Sequence, residues 1–363
     1  MAGVELEVNA THYRAQRAGS ADFEQHCHGT SRSIMSNTVK VDIHPSQFPE
    51  AVRLDLLESL RRGQLNHKFL YDSVRQTTKW LALHEAYSPA CTDPDCEATY
   101  DRSFAAVADR ISTQHVHLVG LGCGGGQKDS RLLRLLSQRE CAITYTPSDV
   151  SLAMVLVAFK TAGAVLSRER CFPLVCDLSR AEELASDLEK REPQGAIRLV
   201  TFFGMLPNFE PELVLDRLAR LIRPGDFLLT SANLAPGPDY DAGVNRILPL
   251  YDNELTRDWL FSFLQSLGVD PQDGKMKFGI ETDPKNDLKR VVANFHFSRS
   301  RSIEVEGERF DFPEGDSIRL FFSYRHTPQK VRDLLARHGL TVDSEWITKS
   351  EEEGVFLVKP KSS

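Results

Sequence analysis

The strongest constraint on the fold is a regular alternation of short apolar runs and amphipathic segments between residues 115 and 231. Apolar runs of roughly four to eight residues are typical of buried strands, and apolar residues at every third or fourth position are typical of helices. Their alternation predicts a doubly wound α/β domain, because parallel strands need helical crossovers between them. The strands are expected at residues 115–121, 143–150, 172–176, 197–203 and 227–231, and the helices at 128–138, 151–162, 180–191 and 211–222.

The segments on both sides of this alternation predict a second, smaller α+β lobe. Helical periodicity precedes the alternation, and a helix with two strand-like segments follows it. A last helix and a strand pair return to the α/β pattern. These elements are expected at residues 46–70 and 71–110, at 245–266, 291–297 and 301–310, and at 328–338, 341–347 and 354–359.

The predicted organisation has five parts, and a ligand cleft is expected over the carboxyl ends of the strands, between the two lobes. The parts are a flexible N-terminal arm (1–40), the helical part of the second lobe (41–110), a Rossmann-like core (111–235), an insertion that completes the second lobe (236–325) and a C-terminal return to the core (326–363).

Composition excludes several classes of protein. The net charge of −7 does not indicate a basic surface for nucleic acid. The sequence contains no run of 18 apolar residues, so no membrane span is predicted. The N-terminus lacks the basic segment followed by an apolar segment that is typical of a secretory signal. The seven scattered cysteines are typical of a reducing compartment, and Cys91, Cys96, His26 and His28 are spaced too loosely for a zinc site. We expect a cytoplasmic monomer or weak oligomer without a metal, a nucleic-acid partner or a membrane partner.

A glycine-rich turn, Gly120-Leu-Gly-Cys-Gly-Gly-Gly126, follows the first predicted strand of the core. Its glycines permit a tight turn and close approach of a ligand, and the next helix offers free N–H groups to that ligand. Gly120, Gly122 and Gly125 also match the dinucleotide pattern G-x-G-x-x-G, and a turn without a ligand is a further alternative. A Walker-type phosphate loop is excluded because a glutamine, not a glycine, precedes Lys128.

Two acids end the next two strands. Asp149 follows the second strand and is placed to accept the two hydroxyls of a ribose, whereas Asp177 follows the third strand, at the position where methyltransferases commonly hold an adenine amino group. Either acid alone is as readily explained as the N-cap of the helix that follows it. Their occurrence at successive strand ends after a glycine turn favours an adenosine ligand.

Three segments carry a resemblance to a known family. They are LVGLGCGGGQK at Leu118 to Lys128, YTPSDV at Tyr145 to Val150, and TFFGMLPNF at Thr201 to Phe209. Together they resemble the histidine-specific methyltransferases that use S-adenosylmethionine (SAM), a family that includes enzymes methylating the α-amino group of histidine or tryptophan derivatives. The resemblance extends from about residue 64 to residue 358, and it implies SAM as cofactor.

The resemblance also implies roles for particular residues. The cofactor-binding residues that it implies are Gly120, Gly122, Gly124, Lys128, Asp149, Asp177 and Leu178, with Tyr87 near a further family tyrosine. The implied catalytic and substrate-binding residues are Tyr71, Asn208 and Tyr251, of which Asn208 orients the accepting amine. The alternative for Asn208 is a cap of the predicted helix 211–222.

One position departs from the family pattern. Histidine-methylating members have Glu-x-Ser near the end of the second lobe, whereas this chain has Phe321 in place of the glutamate and keeps Ser323. A phenylalanine accepts no hydrogen bond from an imidazole N–H, so the basis for selecting histidine is lost. The resemblance therefore implies a divergent member that N-methylates another amino acid or small amine, with Phe321 and Ser323 lining the substrate pocket.

Methyl transfer requires the accepting atom to be held within about 3–3.5 Å of the methyl carbon in a dry site, and neither a metal nor a covalent intermediate is needed. Three alternatives stay open at this point. The glycine turn also suits an NAD(P)-dependent oxidoreductase, the nucleophile could be oxygen, sulfur or carbon, and a non-catalytic partner subunit would keep the fold alone. The strand pair after helix 328–338 favours a methyltransferase, whose sheet usually finishes with an inserted antiparallel strand.

Overall fold

The computed structural model describes residues 38–111 and 115–361. A flexible arm was predicted for residues 1–40, and residues 1–37 of it lie outside the described residues. The features below belong to the compact unit that begins at Asp42. No helix of the described ranges is long and apolar enough to cross a bilayer.

Thirteen strands lie within the described residues and form three sheets. They are β1 (Asp42–Ile43), β2 (His115–Leu121), β3 (Ala142–Asp149), β4 (Leu174–Val175), β5 (Ile197–Phe202), β6 (Phe227–Asn233), β7 (Gly274–Asp283), β8 (Leu288–Phe297), β9 (Arg301–Val305), β10 (Glu308–Phe312), β11 (Ser317–Arg325), β12 (Leu340–Ile347) and β13 (Glu353–Pro360).

The largest sheet has eight strands in the order β1-β4-β3-β2-β5-β6-β13-β12. The pairs among β1 to β6 are parallel, whereas β13 runs antiparallel to both of its neighbours, β6 and β12. The strand order reverses at β2, which is the position where doubly wound sheets bind ligands. A three-stranded antiparallel sheet, β11-β8-β7, and the hairpin β9-β10 lie outside the main sheet.

Helices connect the parallel strands and build the second lobe. The described residues contain α1 (Pro49–Arg62), α2 (Val74–Tyr87), α3 (Pro89–Thr92), α4 (Pro94–Arg110), α5 (Gln127–Gln138), α6 (Leu152–Ala162), α7 (Leu184–Glu189), α8 (Pro211–Leu221), α9 (Tyr240–Tyr251), α10 (Glu254–Ser266) and α11 (Pro328–Arg337).

The helix predicted for residues 46–70 ends at Arg62, because Gly63 has a φ of +58° and its N–H bonds back to the carbonyl of Leu60. The chain then forms one short 3₁₀ turn, His67–Leu70, in which Asn66 accepts a hydrogen bond from the N–H of Lys68. This break brings Lys68 beside Asp177, at the carboxyl edge of the main sheet, and places His67 against β11.

Other predicted elements differ from the structure. The helix predicted near 245–266 is two helices, α9 and α10, because Asn253 caps a new helix through the N–H of Thr256. The single strand-like segment 301–310 is the hairpin β9-β10, which turns at Glu306 and Gly307, both with positive φ. Strand β7 was not predicted at all, and the predicted strand 172–176 and helix 180–191 shorten to β4 and α7.

Three apolar clusters form the core. Strand β2 contributes Leu118 to one cluster and Val119 to another, because successive strand residues point to opposite faces of the main sheet. The third cluster packs α1 and α10 against the three-stranded sheet around Leu57, Trp259 and Phe295. The predicted Rossmann-like α/β fold with a second lobe is therefore confirmed.

Candidate active site

Two adjoining cavities lie at the carboxyl ends of the parallel strands, with volumes of about 670 and 680 Å³. Both volumes are typical of small-ligand sites. We name them by one lining residue each, the Asp149 cavity and the Tyr251 cavity. Seven residues line both cavities and define their junction: Tyr71, Trp80, Leu121, Gly122, Gly124, Met205 and Asn208.

The glycine turn separates the two cavities. Gly122 and Gly124 have φ values of +60° and +51°, a left-handed conformation that favours glycine. A Cβ on Gly122 would also lie 2.5 Å from Cγ of Met205. Gly120 lines neither cavity, and a Cβ there would collide with the carboxylate of Asp129, which lies beneath the turn. Gly120 therefore shapes the turn from below, whereas Gly122 and Gly124 are in position to contact a ligand.

Asp149 lies at the end of β3, on the wall of the Asp149 cavity. Its two carboxylate oxygens accept hydrogen bonds from the backbone N–H groups of Ser151 (3.0 Å) and Gly124 (3.2 Å). Burial raises its pKa to about 6, against the opposing effect of these N–H groups. Asp149 is not the N-cap of α6, since Ser151 fills that position through the N–H of Met154.

Asp177 follows β4 and lies in the same cavity beside Leu178. One carboxylate oxygen accepts a hydrogen bond from the N–H of Ser179 at 2.9 Å, and the other lies 3.3 Å from Nζ of Lys68. Lys68 also pairs with Asp55 of α1, and all three charged side chains are buried. Asp177 is seven residues ahead of α7 and does not cap it.

Tyr71 and Asn208 lie at the junction of the two cavities. Within the described ranges, neither the Tyr71 hydroxyl nor the Asn208 amide has a hydrogen-bond partner, and burial raises the pKa of Tyr71. Helix α8 begins after Glu210 without a side-chain cap, so capping does not account for Asn208. Both side chains are thus available to a ligand.

The remaining predicted substrate residues line the Tyr251 cavity. The Tyr251 hydroxyl donates to Oγ of Ser323 at 2.9 Å. The ring of Phe321 stacks on His67 with centroids 5.1 Å apart, and it also contacts Trp259 and Tyr251. This part of the cavity therefore has an aromatic wall.

Lys128 and Tyr87, which were predicted to contact the cofactor, also line the Tyr251 cavity. Nζ of Lys128 donates to the Tyr100 hydroxyl at 2.9 Å and lies 4.0 Å from the buried carboxylate of Glu353, to which Tyr100 donates in turn. Tyr87 is exposed. Apart from Gly120, which lines neither cavity, the predicted cofactor residues are thus divided between the two cavities, and only Gly122 and Gly124 line both.

Several residues of the site were not singled out from the sequence, among them Lys68, Met205 and Arg325. Lys68 reaches Asp177 from a distant segment, and no local pattern indicates that contact. Met205 fills the space beside Gly122. Arg325 follows Ser323 by two positions, and strand alternation alone places both on one face; that signal was present in the sequence.

The comparisons with known proteins identify the family of this chain. Residues 52–360 match the family described as "Histidine-specific methyltransferase, SAM-dependent". The chain belongs to this family, and the predicted resemblance is confirmed.

Relatives are distant. The N-methyltransferase imqF of Aspergillus flavus is 28% identical over 262 residues, which cover 66% of this chain and 65% of that protein. Among solved structures, magnesium protoporphyrin IX methyltransferase (ChlM) from Synechocystis PCC 6803 with bound SAH aligns with a TM-score of 0.43 and 13% identity, over 82% of this chain and 98% of that chain. CcbJ from Streptomyces caelestis aligns with a TM-score of 0.37 and 13% identity, over 74% and 96% of the two chains.

The Asp149 cavity has residues that could hold the adenosyl part of SAM. The half-buried Asp149 lines this cavity beside the glycine turn, and the buried Asp177 and Leu178 extend the same wall. Among the described residues, no group of three or more His, Cys, Asp or Glu side chains is arranged to hold a metal ion, and His26 and His28 lie outside that range.

Proposed function

We propose that this SAM-dependent methyltransferase methylates the amino nitrogen of an amino acid or related small amine other than histidine. Support comes from the family, from a relative named as an N-methyltransferase, and from the side chains that line the Tyr251 cavity. We also propose that the protein is cytoplasmic, as expected from its scattered cysteines.

The observation that carries the proposal is the pair of unengaged polar groups at the junction, Tyr71 and Asn208. When bound, the cofactor supplies an electrophilic methyl group on sulfur. The Asn208 carbonyl oxygen accepts an N–H of the amine and so fixes the direction of its lone pair, while the amide itself does not compete as a nucleophile. The Tyr71 hydroxyl provides a second hydrogen bond from the opposite segment of the chain.

Selectivity against histidine is attributed to Phe321. Its neighbour His67 provides no substitute for the missing glutamate, because Nε2 of His67 already accepts the N–H of Phe322 at 3.0 Å and burial lowers the pKa of His67 to about 3. The N–H of an imidazole side chain would therefore have no hydrogen-bond acceptor at this wall. An apolar aromatic or aliphatic side chain has no such N–H and would lose no hydrogen bond on binding.

A mass-spectrometric screen tests this proposal. Amino acids and amines are incubated with the protein and SAM, and products heavier by one methyl group are sought. We expect aromatic or aliphatic amines to be methylated and histidine to be inert. Efficient methylation of histidine, or products methylated only on oxygen, sulfur or carbon, would contradict the proposal.

Replacement of Asn208 by alanine separates orientation from cofactor binding. Because a small misplacement of the nucleophile costs about 100-fold in rate, Asn208→Ala should lower kcat by at least that factor while the Kd of S-adenosylhomocysteine stays within about twofold. Asn245→Ala, at an exposed position of α9, is the matched control and should keep full activity. Equal losses of rate and of S-adenosylhomocysteine affinity would exclude an orienting role.

A further inference from the structure

Arg325 is a buried cation without an anionic partner. Its side chain ends β11 and is only 7% exposed. The guanidinium donates to the Tyr251 hydroxyl at 2.7 Å and to the carbonyl oxygen of Leu234 at 3.2 Å, and its buried Nε has no hydrogen-bond partner. In the part of the chain that the structure describes, no carboxylate lies within ion-pair distance of it.

Arg198, another buried arginine of the described residues, shows the usual arrangement. Arg198 is 1% exposed, and its Nε lies 3.0 Å from the carboxylate of Glu192. A buried charge needs such compensation, because removal from water is costly and a guanidinium does not lose its proton within the protein. For Arg325 the compensating charge must come from outside the described chain, and a bound ligand is the natural source.

The surroundings of Arg325 define the kind of ligand. Arg325 lines the Tyr251 cavity together with Tyr251, Ser323 and Asn233. These neighbours already form hydrogen bonds with one another. Oγ of Ser323 accepts a hydrogen bond from the Tyr251 hydroxyl and lies 3.4 Å from the Asn233 amide nitrogen. Unused N–H groups of a guanidinium suit an acceptor with two oxygens and a negative charge, that is, a carboxylate.

The acidic residues that line the cavity are Glu85, Asp129, Glu352 and Glu353, and none of them forms an ion pair with Arg325. The Glu353 carboxylate is engaged by Tyr100 and Cys96, with Lys128 at 4.0 Å. The Asp129 carboxylate accepts hydrogen bonds from two hydroxyl groups. The positive charge of Arg325 is therefore available to a ligand in the cavity.

We propose that Arg325 binds a carboxylate of the methyl acceptor and so makes the acceptor an amine that also carries an acid group. The proposal rests on the proposed function in that it assigns the Tyr251 cavity to the acceptor. Strand β11 places Phe321, Ser323 and Arg325 on one face at intervals of two residues, so an apolar wall and an anion site share one cavity. Arg325 acts as a specificity-determining residue, while Asn208 orients the nucleophile.

The test uses a pair of probes without an amine, 3-phenylpropionate and 3-phenylpropionamide. Their binding to the protein saturated with S-adenosylhomocysteine is measured by calorimetry. We expect the acid to bind at least tenfold more tightly than the amide. Arg325→Met should weaken the acid at least tenfold and leave the amide within about twofold, because only the acid uses the charge, and Arg325→Lys should retain part of the preference.

Two controls accompany this test. S-adenosylhomocysteine affinity shows that each variant is folded, and Arg290→Met removes a partly buried arginine that is paired with Glu281 and lines neither cavity, so it should keep the acid preference. Equal affinity of the two probes, no binding of either, or an unchanged preference in Arg325→Met would overturn the proposal. Since neither probe carries an amine, failure of the methylation screen would refute the proposed function without affecting this result.

Discussion

At the scale of single residues, Asp149 shows two opposing effects on one carboxylate. Burial at the end of β3 favours the protonated form, whereas the N–H groups of Ser151 and Gly124 favour the charged form, and burial dominates. A ribose bound in the Asp149 cavity would offer hydroxyl donors, which are satisfied best by the charged carboxylate. Ligand binding and proton release at Asp149 should therefore be coupled.

This coupling predicts a pH dependence of cofactor binding. With a pKa of about 6 in the ligand-free protein, Asp149 is mostly charged at pH 7 and mostly protonated at pH 5. The Kd of S-adenosylhomocysteine should rise about tenfold from pH 7 to pH 5, as measured by calorimetry. Asp149→Asn should bind more weakly at pH 7 and show a flat profile. The same slope in both proteins would assign the titration to another group.

The residues of the site were predictable to the extent that they lie on one strand or turn. The acids at the ends of β3 and β4 follow from the strand pattern, and Phe321 with Ser323 follows from family resemblance. The partners that give these residues their environment come from distant segments. Lys68 beside Asp177 and the packing of His67 on Phe321 exist only after the lobe has folded onto the sheet.

At the scale of elements, α1 and the turn His67–Leu70 are attached to the core through a buried charge cluster. Lys68 links Asp55 of α1 with Asp177 at the end of β4, and Arg180 pairs with Asp55 from the surface. The positive charge of Lys68 compensates the negative charges of the two buried carboxylates, which would otherwise be only partly compensated. The cluster therefore joins the second lobe to the wall of the Asp149 cavity.

Replacement of Lys68 by methionine should destabilise the protein by about 3–5 kcal/mol, since it leaves the buried Asp177 without its cation and Asp55 with only the exposed Arg180. The change is measured by urea denaturation followed by circular dichroism. Lys79→Met is the matched control, because Lys79 pairs with the exposed Asp258, and it should cost about 1 kcal/mol or less. A similar small cost for both variants would mean that Lys68 contributes little at its site.

Helices and strands were predictable where the apolar pattern of the sequence begins and ends with the element itself. Strands β2, β3 and β5 are mostly buried because helices cover both faces of the main sheet. Strand β7 escaped prediction because its sequence, GKMKFGIETD, mixes charged residues and glycines with few apolar positions, and pairing with β8 decides its conformation. The break between α9 and α10 depends on the N-cap at Asn253. The apolar residues continue at helical spacing across this position, so their pattern does not indicate the break.

At the scale of the whole molecule, β13 holds the main sheet together. It pairs with β6 on one side and β12 on the other, and Val355 and Phe356 point into the clusters on opposite faces. Strand β13 therefore contributes to the apolar packing on both faces of the sheet.

Removal of the Phe356 ring should affect the entire fold. Phe356 is fully buried, so Phe356→Ala should cost about 3–5 kcal/mol, seen as a lower Tm with a single unfolding transition. Val74→Ala, at a position that is 73% exposed, is the control and should change the stability by about 0.5 kcal/mol or less. Two separate transitions in Phe356→Ala would indicate that β13 stabilises only one face.

The position of β13 also constrains how the protein matures on the ribosome. The strand that fills the gap between β6 and β12 is synthesised after both of them, so the nascent chain exposes an open edge of β6 while more than a hundred further residues are added. An open edge of this kind invites pairing with other chains. Translation through the second lobe is therefore the interval in which a chaperone would protect this protein most, and it ends when residues 353–360 leave the exit tunnel.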